Sequence, residues 1–291
     1  MKIARSILLP VLTVMLCACG ASVDEYKNLS QAGQLYADAL ERLLIKSGQI
    51  TIDRTSEDLL VEDISGNNIT TARYGVSSRQ DKLNLASLQR IITQVRLLRS
   101  YFKQLEILAN SDSPATANSR ATNIGNNIAK LSGTMRNKDV LLKNFAPSVV
   151  KVTVSANLRQ ALRTELSLRG KTILEALEIQ ETLVANLRET INSNMASIVE
   201  SREIRYVVPP ITSPTEIGNP EAWIKLRRDT LTYNQTIDEL TEASQSLTEF
   251  KSLFKAILED KVTSVRIESF LKETDDFIKL VEKNKPKDSK K

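Results

Sequence analysis

The chain contains no histidine, and its only two cysteines, Cys17 and Cys19, lie close to the N-terminus of the 291-residue sequence. Without histidine it lacks the commonest general base, the commonest metal ligand and the usual switch near neutral pH. Because no cysteine follows position 19, the rest of the chain has no disulfide, no thiolate nucleophile and no cysteine-based zinc or iron–sulfur site. We therefore expect no cofactor and no metal.

Glycine (9 residues) and aromatic side chains (4%) are also scarce, whereas hydrophobic residues make up 41% of the chain and charged residues 26%. This balance is typical of a folded protein rather than of a disordered or multi-spanning one. The abundant Leu, Ala, Glu, Lys, Arg and Gln favour helix over sheet. The composition therefore predicts an all-α fold.

The formal charge of +5 is small, because 35 acidic residues offset 40 basic ones. Five lysines lie between position 283 and the C-terminus, so the high isoelectric point owes much to a Lys-rich tail. We expect this tail to be disordered and solvated, with contact to an anionic surface as the alternative. No stripe of interleaved basic and aromatic residues is present, and we expect no nucleic-acid binding.

The N-terminal segment carries the most specific signal. Lys2 and Arg5 precede an apolar stretch, residues 6–18, that is shorter than the roughly 20 residues of a membrane-spanning helix. This pattern predicts a signal peptide. The segment ends in Leu16-Cys17-Ala18-Cys19-Gly20, which resembles the lipobox of bacterial lipoproteins. The resemblance covers this segment alone.

The lipobox resemblance implies cleavage before Cys19, a diacylglycerol on its thiol and, in many bacteria, a further acyl chain on its amine. Cys17 fits the lipidated position badly, because the bulky Leu16 would precede the cut. The resemblance places the protein on the bacterial cell envelope, facing the periplasm, and Gly20 favours the outer membrane if the source is Gram-negative. An ordinary secretory signal with incidental cysteines is the alternative.

Apolar residues at spacings of three and four predict a first helix over residues 24–47, which Gly48 is placed to end. Residues 49–77 are the least helical part, because they contain β-branched runs and a Gly-Asn-Asn turn. We expect a folded segment there that accommodates a small β-hairpin. A capping pattern at Ser78 predicts a second helix, whose apolar stripe begins at Leu85 and Leu88 and ends at about Ala109.

Ser113-Pro114 predicts the start of a weaker third helix that continues through Leu142. A fourth helix follows Pro147 and reaches Ser201, with Gly170 as its expected kink. The tract Val207–Pro214 is rich in proline, and we expect a stiff connector that is not helical throughout.

Asn219-Pro220 predicts the start of the last helix, whose apolar seam includes Leu226 and Leu247 at spacings near 3.5 residues. Long fourth and fifth helices across one connector suggest an elongated, antiparallel, coiled-coil-like bundle. The alternative is a compact bundle in which Gly170 and the polar stretch Glu259–Lys261 break these helices. The predicted organisation is a signal peptide (1–18), a lipid-anchored linker (19–23), one helical-bundle domain (24–282) and the Lys-rich tail (283–291).

Three acidic pairs are candidates for carboxylate chemistry: Glu57-Asp58, Glu62-Asp63 and Asp275-Asp276. Neighbouring residues on a helix diverge by about 100°, so these pairs are more typical of solvated faces than of catalytic sites. We therefore name no catalytic residue. Trp223, the sole tryptophan, is a candidate partner contact, and packing at the end of the bundle is its alternative role.

Together these patterns predict a lipid-anchored, nonenzymatic envelope protein. Its helical bundle would bind a protein partner of the envelope or serve as a structural module. Two alternatives stay open at this point. One is a lipoprotein that holds a small or lipidic molecule between its helices. The other is a hydrolase of envelope polymers that uses carboxylates.

Overall fold

The computed structural model describes residues 22–66, 68–111, 123, 158–213, 217–259, 261 and 264–283, and every regular element in these ranges is helical. This confirms the all-α prediction. The elements are α1 (Val23–Ile64), α2 (Thr71–Ala109), α3 (Leu158–Arg202), a π-helical turn (Glu203–Val207), α4 (Val208–Thr212), α5 (Pro220–Leu258) and α6 (Ser264–Lys283). The predicted third helix, the signal peptide and the Lys-rich tail beyond residue 283 lie outside the described residues.

The β-hairpin expected within residues 49–77 is wrong, because α1 continues past Gly48 to Ile64 and α2 begins at Thr71. A Cβ at Gly48 would lie 3.1 Å from Leu85 and 3.2 Å from Leu88, so this glycine lets α2 approach α1 closely instead of ending the helix. The β-branched Ile50 is buried on the same helix. Tertiary packing therefore overrides local strand propensity here.

The turn between α1 and α2 is short and capped at both ends. Gly66 adopts a φ of 84°, a conformation that glycine reaches without strain. The Thr70 side chain then accepts a hydrogen bond from the backbone N–H of Arg73, so α2 starts at Thr71 and not after Ser78 as expected.

Helices α1 and α2 run antiparallel, as their ion pairs show. Near the turn, Arg73 binds Glu62; further along, Arg96 lies 2.6 Å from Glu41. At the far end, the side-chain amide of Gln34 donates a 2.7 Å hydrogen bond to Glu106. Helix α1 also packs against α3, α5 and α6, so it is the central helix of the bundle.

Helix α3 continues through Gly170 without the interruption that the compact alternative required. A Cβ at Gly170 would lie 2.6 Å from Leu258, so the glycine permits close contact with the end of α5. The predicted last helix is interrupted near Glu259–Lys261, as in the compact alternative, since α5 ends at Leu258 and α6 starts at Ser264. At 1.5 Å per residue, α3 is about 67 Å long.

The proline-rich connector is more helical than expected. The π-helical turn and α4 carry the chain through Pro209 and Pro210, whose missing N–H groups cost little in the first turn of a helix. Helix α5 then returns antiparallel to α3, and Lys251 lies 2.7 Å from Glu181 across that pair.

Aromatic side chains fill the core in the half of the bundle that is nearer to Ser22. Tyr36 stacks on Phe250 with ring centroids 4.8 Å apart, and Phe102 meets Phe250 edge to face at 5.4 Å. Phe254 and Phe270 complete this cluster. The bundle therefore has a dense, apolar core at one end.

Candidate functional site

Cys19, the predicted lipidation site, and Cys17 lie outside the described residues, but the structure begins close to both. The Ser22 side chain accepts a 3.2 Å hydrogen bond from the Glu25 backbone N–H, and the Glu25 carboxylate accepts a 2.7 Å bond from the Ser22 N–H. This reciprocal cap fixes the start of α1. In the sequence, Cys19 precedes Ser22 by three residues.

The opposite end of the bundle exposes apolar side chains. All exposed large hydrophobic side chains of the described residues, except Ile45 and Val265, belong to the second half of α1, the first half of α2, the π-helical turn, α4 or the start of α5. They are Ile52, Leu60, Ile64, Tyr74, Val76, Leu83, Leu85, Ile204, Tyr206, Val208, Ile211, Ile224, Leu226 and Leu231. The end of α1 lies about 60 Å along the helix from its start.

We call residues 51–64 of α1 and residues 71–91 of α2 the distal arm. Between Thr51 and Ile91, Glu57 is the only described side chain that is buried. The apolar seam of α2 therefore becomes buried only at Ile92, and Leu85, which was expected in the packed stripe, is exposed. Leu226 of α5, which was likewise expected in an apolar seam, is also exposed.

Glu57 joins the distal arm to α3 and the π-helical turn. Its carboxylate accepts a 3.1 Å hydrogen bond from Arg202 and a second bond from Arg205. The guanidinium of Arg205 also lies 4.4 Å from the centroid of the Tyr206 ring. Because these two bonds connect α1 to α3 and to the π-helical turn, we assign the Glu57 carboxylate a structural role.

Two opposite charges, Lys46 and Asp53, influence each other electrostatically close to this junction. Burial lowers the pKa of Lys46 and raises the pKa of Asp53, although each side chain favours the charged form of the other. Desolvation therefore outweighs their mutual attraction at this position.

Apart from Asp63, the other carboxylates of the acidic pairs contact basic side chains. Asp58 lies 3.0 Å from Arg54, and a hydrogen bond from Arg73 lowers the pKa of Glu62. Both Asp275 and Asp276 contact Lys279. Among the described residues, no cluster of three or more Asp, Glu, Cys or His side chains is arranged to hold a metal ion.

A surface groove of about 410 Å³ runs between the two helices of the distal arm. Its lining combines charged and apolar side chains, among them Arg54, Asp58, Arg73, Val76 and Leu83. Val76 and Leu83 are seven residues apart and share one face of α2. The groove therefore offers an apolar stripe with charges on either side.

Trp223 is half-buried at the start of α5. Its indole N–H donates a 3.0 Å hydrogen bond to the backbone carbonyl of Val207 at the end of the π-helical turn. This contact ties the start of α5 to the end of α3. The proposed contact between Trp223 and a partner stays a prediction.

Trp223→Phe tests this structural role, because it keeps an aromatic ring and removes the N–H donor. We expect the free energy of unfolding to fall by about 1 kcal/mol, the usual value of one hydrogen bond. Chemical denaturation followed by circular dichroism measures the change. Tyr74→Phe is the control, because the Tyr74 side chain is 58% exposed and its hydroxyl makes no hydrogen bond among the described residues; it should change stability by less than about 0.5 kcal/mol. Equal stability of Trp223→Phe and wild type would contradict the assignment.

Within the described residues, no helix is both long enough and apolar enough to cross a membrane. The chain matches no protein-family model, and no similar curated protein or solved structure was found. The functional argument therefore rests on the residues and their arrangement.

The exposed distal arm was missed at the level of sequence, although a signal for it exists. In α2, Tyr74 and Val76 are two residues apart, as are Leu83 and Leu85, so apolar side chains occur on more than one face of the helix. A single buried stripe would not need this pattern.

Proposed function

We propose that the chain is a lipid-anchored, nonenzymatic protein of the bacterial cell envelope, and that its elongated, antiparallel bundle acts as a protein-binding or structural module. The observation that carries this proposal is the exposed apolar surface at the end of the bundle, about 60 Å along α1 from the helix start next to Cys19. An apolar surface held away from the membrane is available to another protein.

Large exposed apolar patches on soluble domains mark interaction sites more often than accidents of packing. The lipid on Cys19 would supply the fixed end, because two or more acyl chains anchor a protein far more firmly than one. The long helices would supply the distance between the anchor and the binding surface.

The two alternative functions receive less support from the described residues. Glu57 and Asp58 belong to different ion pairs, Asp275 and Asp276 both contact Lys279, and the groove of the distal arm lies at the surface between helices. A hydrolase would need two carboxylates at a fixed separation across a cleft. A carrier of lipidic molecules would need an apolar chamber inside the bundle.

Cys19→Ser tests the anchor. We expect the substitution to abolish labelling of the protein by fatty acids in cells and to move the protein from the membrane fraction to the soluble fraction. Cys17→Ser is the matched control, because it changes the neighbouring cysteine and should leave both labelling and fractionation unchanged. Persistent labelling of Cys19→Ser would refute the proposed lipidation site.

A further inference from the structure

Among the described residues, the outer part of the distal arm consists of α1 and α2 alone, with no third helix packed against them. Helix α3 and the π-helical turn contact the arm up to Glu57: Asn194 donates a 3.2 Å hydrogen bond to Thr51, and the two arginines bind Glu57. On α2, Tyr74, Val76 and Leu83 are 57–61% exposed. Helices in proteins gain most of their stability by packing an apolar face, so this arm has a surface that another helix pair could cover.

The two helices of the distal arm carry opposite charge. Residues 51–64 contain five acidic residues and one basic residue, a net charge of −4. Residues 71–91 contain four basic residues and one acidic residue, a net charge of +3. Within the described residues, Arg79 and Lys82 of α2 take part in no ion pair, and the same is true of Asp63 of α1. Charge on both helices is thus available to a partner.

A surface with one acidic and one basic half is complementary to itself. A two-fold axis places the same patch of two copies face to face, so that each residue pair across the interface occurs twice. With the acidic α1 segment of one copy against the basic α2 segment of the other, both pairings are attractive. The alternative register, α1 against α1, would oppose two segments of charge −4.

The shape of the distal arm also fits the distal arm of a second copy. Val76 and Leu83 form an apolar stripe on α2 and line the groove between α1 and α2, so each copy contributes both a stripe and a groove. Two helical hairpins that pack in this way form a four-helix bundle, in which apolar side chains of all four helices share one core.

We propose that the distal arm is a self-association surface, on which a second copy of this chain docks its own arm to complete a four-helix bundle. The helices are about 20 and 30 Å long in this region, so the contact is small for a stable dimer, which commonly buries about 800 Å² per partner. Tethering of both copies to one membrane would raise their effective concentration. This last point rests on the proposed lipid anchor, whereas the docking surface does not.

The first test measures association of the mature chain with Cys19→Ser by sedimentation equilibrium over a range of concentrations. We expect the average mass to rise from that of a monomer towards that of a dimer. Val76→Asp should weaken the dimer about tenfold or more, because it places a charge in the apolar stripe. Val265→Asp is the matched control, since Val265 is 75% exposed on α6, outside the arm, and should change the dissociation constant less than about twofold.

The second test uses charge reversal in two variants of the same chain. One variant carries Arg79→Glu and Lys82→Glu on α2, and the other carries Asp58→Lys and Asp63→Lys on α1. Each variant alone opposes like charges in the proposed register and should be monomeric. A mixture of the two restores both attractive pairings and should form heterodimers. All four positions are at least partly exposed, so we expect folding to be retained, as circular dichroism will verify.

Several results would overturn self-association. One is a wild-type chain that stays monomeric at every soluble concentration; another is a mixture of the two charge variants that forms no heterodimer. A monomer in which a cysteine introduced by Val76→Cys resists maleimide would assign the surface to residues 112–157 of the same chain. A photo-crosslinker at position 76 that captures only a different envelope protein would also overturn self-association, while the proposed function would stand. Persistent labelling of Cys19→Ser in cells would refute the proposed lipidation site but leave self-association of the chain in solution standing.

Discussion

Arg169→Leu is expected to lower the free energy of unfolding by about 3–5 kcal/mol, because it leaves the carboxylate of Glu165 charged and buried without its partner. A loss of this size is a large fraction of the roughly 5–15 kcal/mol that stabilises a typical domain. Chemical denaturation at pH 7 measures it.

The geometry explains the size of this effect. Glu165 is completely buried on α3 and Arg169 is 2% exposed one turn later, where its guanidinium binds one carboxylate oxygen. The other oxygen, Oε1, has no hydrogen-bond partner within the described residues. Burial raises the pKa of Glu165, and the attraction and hydrogen bond of Arg169 offset this only in part. The buried hydroxyl of Tyr101 lies close enough for the charge of Glu165 to help raise its pKa.

The same substitution predicts a dependence on pH. Without Arg169, the pKa of Glu165 rises further above its ordinary value of 4.5, because the two interactions that lower it are lost. A folded-state pKa above the unfolded value means that the folded state binds more protons, so stability falls as pH rises between these two values. Relative to wild type, Arg169→Leu should therefore recover stability as the pH is lowered from 7 towards 5.

The double variant Glu165→Leu/Arg169→Leu is the control for this prediction. Replacement of a buried ion pair by apolar residues is often neutral or stabilising, so the double variant should recover most of the stability that Arg169→Leu loses. It should also lack the difference in pH dependence. If the single and double variants are equally unstable at every pH, loss of packing explains the effect and the argument from buried charge is wrong.

Phe102→Ala is expected to lower the free energy of unfolding by about 3–5 kcal/mol, since it removes a completely buried ring from the aromatic cluster. The ring packs directly against α1 at Gly33, where a Cβ would lie only 2.3 Å from Cγ of Phe102. Phe250 and Phe254 contact the same ring, which leaves it little room to move.

Gly33→Ala makes this close contact testable through a change of sign. In the wild-type background it should cost about 1–3 kcal/mol through overpacking. In the Phe102→Ala background the obstacle is gone, and the higher helix propensity of alanine should instead stabilise the protein by about 0.5–1 kcal/mol.

Gly75→Ala is the matched control, because nothing lies within 4 Å of a Cβ at this helical position. It should be stabilising by a similar 0.5–1 kcal/mol in both backgrounds. A cost of Gly33→Ala that is the same with and without Phe102 would show that the ring is not the cause.

The prediction of helices succeeded where apolar residues recur at spacings of three and four, as in the first half of α1 and the second half of α2. It was wrong for residues 49–77, because the β-branched Ile50 and Thr51 favour a strand by themselves. In the structure, Ile50 is buried within the bundle and the Thr51 hydroxyl donates to the carbonyl of Ser47. The packing of α1 decides the conformation at these positions.

Two glycines illustrate the same limit. Gly48 and Gly170 were interpreted as a helix end and a kink, since glycine weakens an isolated helix. Each instead admits leucine side chains of a neighbouring helix. A requirement for space depends on the neighbour, and the neighbour is known only once the helices are assembled. Glu165 and Arg169 likewise look like an ordinary surface pair, because i,i+4 spacing is also that of an exposed ion pair.

The sequence by itself determined the all-helical class, since composition and apolar spacing are properties of the chain. It also determined the prediction of a lipid anchor at Cys19, because a signal peptide and lipobox are linear motifs. Only the tertiary structure decided that the surface around Val76 is exposed while the ion pair at Glu165 is buried. Burial depends on which helices surround a residue, and among the described residues the outer part of the distal arm is formed by α1 and α2 alone.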